Sequence, residues 1–567
     1  MRRSKLFAIS ILISLACLVT LACQANKLPL IPTAANPVPA ASPTLIPSPT
    51  PTPTIQPTAT PALSKIIELP TAPPSVPTLS KTEIPTVTPF ATLEVNFDDL
   101  TPYRQAMLPE FAADVDTVAQ AGASRYYLQV GIDPASLAEP NDPILSGVER
   151  VRYTNTENTT LTDIYFRLYP NLPGYDGQMT VEQVMVNGQS VKPELKAENS
   201  ALRVPLPSAL APGVVADISL AYQVVIPRQT TFGYNIFSYE DNTLALADFY
   251  PAIAVYDDQG WDTEIPPEYG DATYLDVSLY QVELTVPAQM VVAASGSVLG
   301  QQAGDHGVKT LSLVSGPMRD FYITMRPDYQ VVSEMVDGVQ VNSYYPAGLD
   351  QGGQLALDYA TTALRVYDKL FGPYPYAEFD VAATPTRAGG VEYPGMAVIN
   401  QQLYNYKGEF FEQVVAHEVA HQWWYGEVGN DQIDEPWLDE SLVNYSTVFY
   451  WEDVAGKATT KKIIQNYFEK PYEDALKTEP DRPVIGPVAD FSERDYAIFV
   501  YGKGPLFFDA LRRQVGDAVY LKIMQAYASQ YKYKIAHAAD LFRLIEQVSG
   551  QNIDSLIKTW LEDGQPN

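Results

Sequence analysis

Two of the four histidines in this chain, His417 and His421, stand four residues apart in "VVAHEVAHQWWYG", and Glu418 follows the first directly. The run "EFFEQVVAHEVAHQWW" carries Phe411, Val414, Val415 and Val419 with no breaker, which predicts a helix. On a helix, positions i and i+4 share one face, one turn apart. Two imidazoles so placed can hold a single metal ion, and zinc favours nitrogen donors of this kind. Glu418 lies about 100° around the helix from His417, within reach of a water on the metal without being a ligand itself. A pair of ordinary core histidines is a poor account of this spacing in a chain so short of histidine.

A third ligand follows. Eighteen residues separate His421 from Glu440, in "QWWYGEVGNDQIDEPWLDE". Glu440 opens another helical stretch, "ESLVNYSTVFYWEDV", so HExxH-x18-E spans two helices. Two histidines and a carboxylate leave one tetrahedral position for water, the mark of a catalytic zinc centre instead of a structural one. On spacing alone Glu435 and Asp439 are rival third ligands. Asn444, four residues after Glu440, reads as a helix-surface residue in preference to a support for a ligand. His306 and His537 stand alone and receive no function.

With these motifs quoted, the chain resembles the zinc aminopeptidases of the aminopeptidase N and leukotriene hydrolase family, within the gluzincin clan. "HEVAHQWW…WLDES" is similar to that family's "HELAHQWF…WLNEG". "GGVEYPGM" resembles its GxMEN exopeptidase motif, and "YGKG" resembles the "YEKG" that carries a catalytic tyrosine. Tyr496 also matches a tyrosine of some members. The resemblance implies one zinc ion held by His417, His421 and Glu440. It further implies Glu418 as general base and Tyr501 as donor to the oxyanion. Glu392 would bind the substrate's free α-ammonium, and Gly389 and Gly390 would let the substrate backbone lie against an edge strand. Peptides with a free amino terminus would be the substrates. Val391 and Tyr393 stand where the family has methionine and asparagine, which reshapes the pocket for the first side chain. No stretch of the β region shows the family's additional amine-binding residue. The chain also stops where longer members continue, a short form without their C-terminal domains.

Several elements must position these groups. From about 125 to 345 the pattern has period two, as in "QVELTV", where Val282, Leu284 and Val286 alternate with Gln281, Glu283 and Thr285. Asn187-Gly188 and Asp337-Gly338 sit between β-formers as hairpin signals. Ahead of this region Leu108, Phe111, Val115 and Val118 recur at helical spacing. Later, "QLALDYATTALRVYDKLFGPYP" predicts a helix stopped by Gly372-Pro373. "EFDVAATP" and "GGVEYPGMAVIN" predict strands around a loop, and helical patterns run from there to the end. The expected fold is a multidomain α+β protein. An antiparallel, saddle-like β domain (98–345) precedes a thermolysin-like mixed α/β and helical peptidase domain (346–567).

The start of the chain has a different character. Residues 1–22 carry Arg2, Arg3 and Lys5 before an apolar run, which predicts a signal peptide. "VTLAC" resembles a lipoprotein lipobox, making Cys23 the expected lipidated residue of a membrane-anchored, extracytoplasmic protein. Both cysteines, Cys17 and Cys23, fall within the first 23 residues, so no disulfide staples the body. Residues 23–97, with "SPTPTPTIQPTATP", predict a disordered tether, since proline, serine and threonine bury too little to make a core. Acidic residues outnumber basic ones 67 to 37, for a net charge of -30. That balance argues against binding nucleic acid or an anionic membrane surface. Two other readings are a thermolysin-type zinc endopeptidase and a non-catalytic binding module on a stalk.

Overall fold

The computed structural model describes residues 95–231 and 233–562, all within a unit spanning Val87–Asn567. The expected signal peptide, residues 23–94 of the expected tether and the last five residues lie outside the described residues.

Eight strands form the largest sheet: β1 (Ser124–Ile132), β2 (Ile144–Thr154), β3 (Gln178–Val186), β4 (Gln189–Ser190), β5 (Val215–Val225), β6 (Ser278–Pro287), β7 (Ser297–Ala303) and β8 (Val308–Val314). Their order is β7-β8-β6-β1-β2-β5-β3-β4. Only β1 and β6 run parallel; the other pairs are antiparallel. The alternation of "QVELTV" is realised in β6, where Val282, Leu284 and Val286 are buried and the residues between them are half-buried. Asn187 and Gly188 both take positive φ, 49° and 75°, at the β3–β4 turn. That is the backbone a two-residue hairpin needs to match strand twist. Two further four-stranded sheets complete this half.

A five-stranded sheet supports the second half: β9 (Tyr329–Val336), β10 (Val339–Pro346), β11 (Glu378–Thr384), β12 (Gly390–Tyr393) and β13 (Met396–Asn400), in the order β9-β10-β11-β13-β12. The β9–β10 hairpin turns at Asp337-Gly338 and then pairs in parallel with β11. The expected boundary at 345/346 thus falls at the end of a strand hydrogen-bonded into the second half. Alternation reports which face of a strand is buried and says nothing of which sheet receives it.

Helices cover this sheet. Before the sheets, α1 (Ala112–Ala121) buries Val115 and Val118. The helix α2 (Asp350–Phe371) ends at Gly372, as "FGP" predicts. α3 (Glu409–Ala420) starts with Glu409 and Glu412 in its first turn, favourable at the positive end of the dipole. α4 (Trp437–Ala455) begins three residues earlier than the sequence suggests and is buried from Trp437 through Trp451. A helix apolar on every side belongs in an interior. It packs against α3 and against α5 (Gly504–Val515).

One core group is out of place. Glu149 on β2 is fully buried, and neither of its carboxylate oxygens has a hydrogen-bond partner. Burial pushes this carboxyl well above its ordinary value of 4.5. The folded chain therefore holds a proton that the unfolded chain releases. The group's contribution to stability is intact below pH 4.5 and is lost as pH rises toward the folded value. Relative to Glu149→Gln, the protein should lose about 1.4 kcal/mol of unfolding free energy per pH unit in that window. Denaturant unfolding of both proteins between about pH 5 and pH 8 checks this, and a difference independent of pH would contradict it.

Candidate active site

The last turn of α3 and the first turn of α4 meet at the predicted metal residues. His417 Nε2 and His421 Nε2 are 3.2 Å apart. Glu440 Oε2 lies 3.2 Å from the first and 3.6 Å from the second. All three side chains are buried. His417 Nδ1 faces Asn444 Oδ1 at 3.1 Å, and His421 Nδ1 faces the Trp424 carbonyl at 3.0 Å. Both partners are acceptors, so each Nδ1 carries the proton and each Nε2 presents a lone pair. Two lone pairs and a carboxylate oxygen at this separation repel one another unless a cation sits among them. The Glu440 Oε2 atom has no hydrogen-bond partner. Donors about 2.0–2.2 Å from one tetrahedral ion are separated by a little over 3 Å, so the donor set fits zinc.

Electrostatics favour a cation as well. Burial lowers the His421 pKa, but Glu392, Glu440 and Glu418 outweigh it and raise the ring well above its ordinary value. The same field that draws a proton draws a metal ion. Burial disfavours the Glu440 carboxylate, yet the neighbouring His417 and His421 rings outweigh burial and keep it ionised, with its pKa lowered. Glu418 is buried, one of its oxygens lacks a partner, and its pKa is raised well above the usual carboxylate range, chiefly by burial. Its carboxylate and the two imidazoles offer ligand atoms within 4.8 Å of one another. A carboxylate with raised proton affinity takes a proton from a neighbouring water more readily than an ordinary one.

The strand β12 is the free edge of its sheet and passes beside Glu418. A Cβ at Gly390 would run into the Glu418 carboxylate, so only glycine lets the strand come this close. A Cβ at Gly389 would sit 3.3 Å from Val414. Glu392, two residues along, is buried and accepts from Gln432 Nε2 at 2.8 Å. The same amide nitrogen donates to Asp439 Oδ2 at 2.8 Å. Tyr501 sits in a widened helical turn, Phe499–Lys503, of the kind often found at functional sites. Its hydroxyl donates to Glu440 Oε1, and its ring stacks near His417 with centroids 6.0 Å apart. Lys503 in the same turn is buried and bonded to Asp481 at 2.9 Å, which holds the turn in place.

The rival ligands have other partners. Glu435 accepts from the amide of Ala538 at 3.1 Å and pairs with His537 at 3.1 Å, at the start of α6 (Ala538–Ser549). Asp439 accepts from the Glu440 amide at 2.8 Å. Asn444 corrects the sequence reading, since it is buried and bonded to His417 instead of facing solvent from the helix. It also donates to the Tyr501 carbonyl at 3.1 Å, joining the two parts of the site. Tyr496 is buried with its ring 5.6 Å from that of Tyr501.

Three groups escaped the sequence reading. Asp271, from the β half, lines a cavity with Glu392, and burial followed by the charges of Glu392, Glu440 and Asp439 raises its pKa. Tyr425 takes φ 113°, a conformation rare for side-chain-bearing residues, with its hydroxyl on Asp320. Arg319 is buried and donates to the carbonyls of Tyr425, Leu275 and Lys534 at 2.7, 3.2 and 2.6 Å. It thereby clamps the loop after α3 to the β half. "HQWWYGE" holds no signal for that contact, because its partner is a lone arginine about a hundred residues upstream.

Residues 355–560 match the peptidase family M1 domain. That stretch is similar to such domains. Aminopeptidase M1-B of Oryza sativa subsp. japonica is 27% identical over 317 residues, covering 51% of this chain and 34% of that protein. Aminopeptidase N of Lactococcus lactis subsp. lactis is 28% identical over 225 residues, covering 36% of this chain and 26% of that protein. The chain thus spans about a third of the length of the curated relatives it matches. The crystal structure of an M1 zinc metallopeptidase from Deinococcus radiodurans superposes with a TM-score of 0.60 at 23% identity, covering 79% of this chain and 95% of that one. The likeness in fold therefore extends beyond the matched residues, through the β half.

Within this site, Asn444 is expected to orient His417. Asn444→Ala should weaken zinc binding about ten-fold or more while leaving the fold intact. Competition against a chromogenic chelator, with circular dichroism as the folding control, measures this. Unchanged affinity would return Asn444 to a packing role.

Proposed function

We propose that the chain is a zinc aminopeptidase held outside the cytoplasm, removing single residues from the amino ends of peptides. The observation that carries this reading is the donor triangle of His417, His421 and Glu440 with Glu418 beside it and Glu392 on the adjoining edge strand. The relatives' descriptions as aminopeptidases support it, as does a variant of the Deinococcus metallopeptidase crystallised with a Tyr-Ser-Ala substrate.

Zinc bound there supplies Lewis-acid chemistry, acidifying a water and polarising a scissile carbonyl. The chain's own groups do the rest. Glu418 accepts the proton of the attacking water and delivers it to the departing amine. The Tyr501 hydroxyl swings from Glu440 to the developing oxyanion, where a fixed donor is most effective. Glu392 pairs with the α-ammonium and so measures one residue from the chain end. The free edge of β12 at Gly389 and Gly390 offers main-chain hydrogen bonds to the substrate backbone. No helix among the described residues is long and apolar enough to cross a membrane. A lipid on Cys23 or an uncleaved leader would supply the anchor; if it is the lipid, the wild-type protein should incorporate radiolabelled fatty acid and Cys23→Ala should not, whereas equal labelling of both would rule out Cys23 as the attachment point.

The purified protein should cleave unblocked aminoacyl p-nitroanilides and lose that activity when the substrate amine is acetylated. Glu418→Gln should keep its zinc and its fold and lose at least about a hundred-fold in kcat, the usual scale for a general base. Equal cleavage of acetylated substrates would point to an endopeptidase instead. Full activity in Glu418→Gln would remove the residue from the mechanism.

A further inference from the structure

Beyond Glu392 the site continues into a cavity that no step of the proposed reaction uses. Its walls carry the rings of Tyr175, Tyr234, Tyr393 and Tyr425, and Leu172 and Ile236 add apolar surface. Two further carboxylates, Asp271 and Glu268, line it alongside Glu392. Among the described residues that line it there is no lysine, arginine or histidine.

The layer behind the wall is acidic too. Asp248 and Asp320 are each only 1% exposed, and each keeps one carboxylate oxygen without a partner. Tyr175 donates to the other oxygen of Asp248 at 3.0 Å, and Tyr425 to the other oxygen of Asp320. Tyr393 is buried with its hydroxyl unpartnered. Arg319, next to Asp320, spends its guanidinium on main-chain carbonyls. Arg167 and Arg319 act on Asp248 and Asp320 only through space, and a buried carboxyl with an unpartnered oxygen is costly unless a positive group comes near.

We propose that this cavity receives the side chain of the substrate's first residue and selects a basic one, lysine or arginine. The assignment rests on the aminopeptidase reading and deepens it. Glu392 is taken by the α-ammonium, which leaves Asp271 and Glu268 for a second positive charge. The apolar stem of lysine or arginine would lie along Leu172 and Ile236, with its head among ring faces and carboxylates. An acidic first side chain would meet charge of its own sign, and an apolar one of equal length would leave the carboxylates uncompensated. The strained backbone at Tyr425 fits this role, because it turns a phenol into the cavity wall.

The direct test measures binding without turnover. Zinc-loaded full-length Glu418→Gln is titrated calorimetrically with L-lysine, L-norleucine, L-phenylalanine and L-glutamate. Lysine should bind at least about ten-fold more tightly than norleucine, with glutamate weakest. Adding Asp271→Asn should shrink the lysine-to-norleucine ratio to within about three-fold, and Glu268→Gln, on the exposed rim, should reduce it by a smaller factor. Norleucine or phenylalanine binding as well as lysine would overturn the proposal. So would an Asp271→Asn variant that weakens all four ligands equally, since that residue would then read the amine alone. The wild-type enzyme should show the same order in kcat/KM on lysyl and norleucyl p-nitroanilides. Selective lysine binding with no cleavage of either would uphold the pocket and sink the aminopeptidase reading. Cleavage with no preference would do the reverse.

Discussion

The site depends on the concentration of buried negative charge and lone pairs around one point. Glu392, Glu418, Asp439 and Glu440 all lie below a tenth exposed, close to two imidazoles that turn their bare nitrogens toward one another. Interiors do not tolerate such an arrangement on its own, because the cost of burying each charge exceeds what neutral hydrogen bonds return. On the proposed reading, a divalent ion between the imidazoles and a substrate ammonium at Glu392 would relieve it. The protein's structure can be understood as the scaffold that keeps these groups together until those partners bind.

That scaffold works through few contacts. α3 and α4 bring the three donors together, and Asn444 and the Trp424 carbonyl fix the tautomers by accepting from each Nδ1. Gly390 lets the edge strand approach Glu418, which places the free strand edge beside that carboxylate. Arg319 holds the loop after α3 against the β half through the carbonyls of Tyr425 and Glu427, and its other bonds reach Leu275 and Lys534. Since Asp271 comes from that half, the clamp also determines what the cavity beyond Glu392 presents.

Much of this was legible in the chain because the chemistry is local. A four-residue spacing on a helix puts His417 and His421 on one face whatever surrounds them. The NG and DG turns specify hairpins through backbone freedom alone, and the α+β class follows from the change of period after residue 345. Other features depend on tertiary partners. Asn444 reads as a surface residue because polar residues on helices usually face water, but α4 is buried nearly all round and leaves it no solvent to face. Spacing alone leaves Glu435 and Asp439 as rivals of Glu440; they are distinguished only by their partners, the start of α6 for Glu435 and Gln432 for Asp439. The β9–β10 hairpin joins the second sheet for reasons of pairing that alternation does not encode. Asp271 reaches the site from 146 positions before His417, and only the packing of the two halves brings it there.

The central claim is that His417, His421 and Glu440 bind one metal ion and leave part of its surface open. Anomalous diffraction at the zinc edge from crystals of the intact protein tests it most directly. A single strong peak should lie about 2.0–2.2 Å from His417 Nε2, His421 Nε2 and a Glu440 oxygen, with a non-protein ligand completing the sphere. A peak closed by four protein ligands, or zinc bound elsewhere with Glu440 turned away from the imidazoles, would contradict the account.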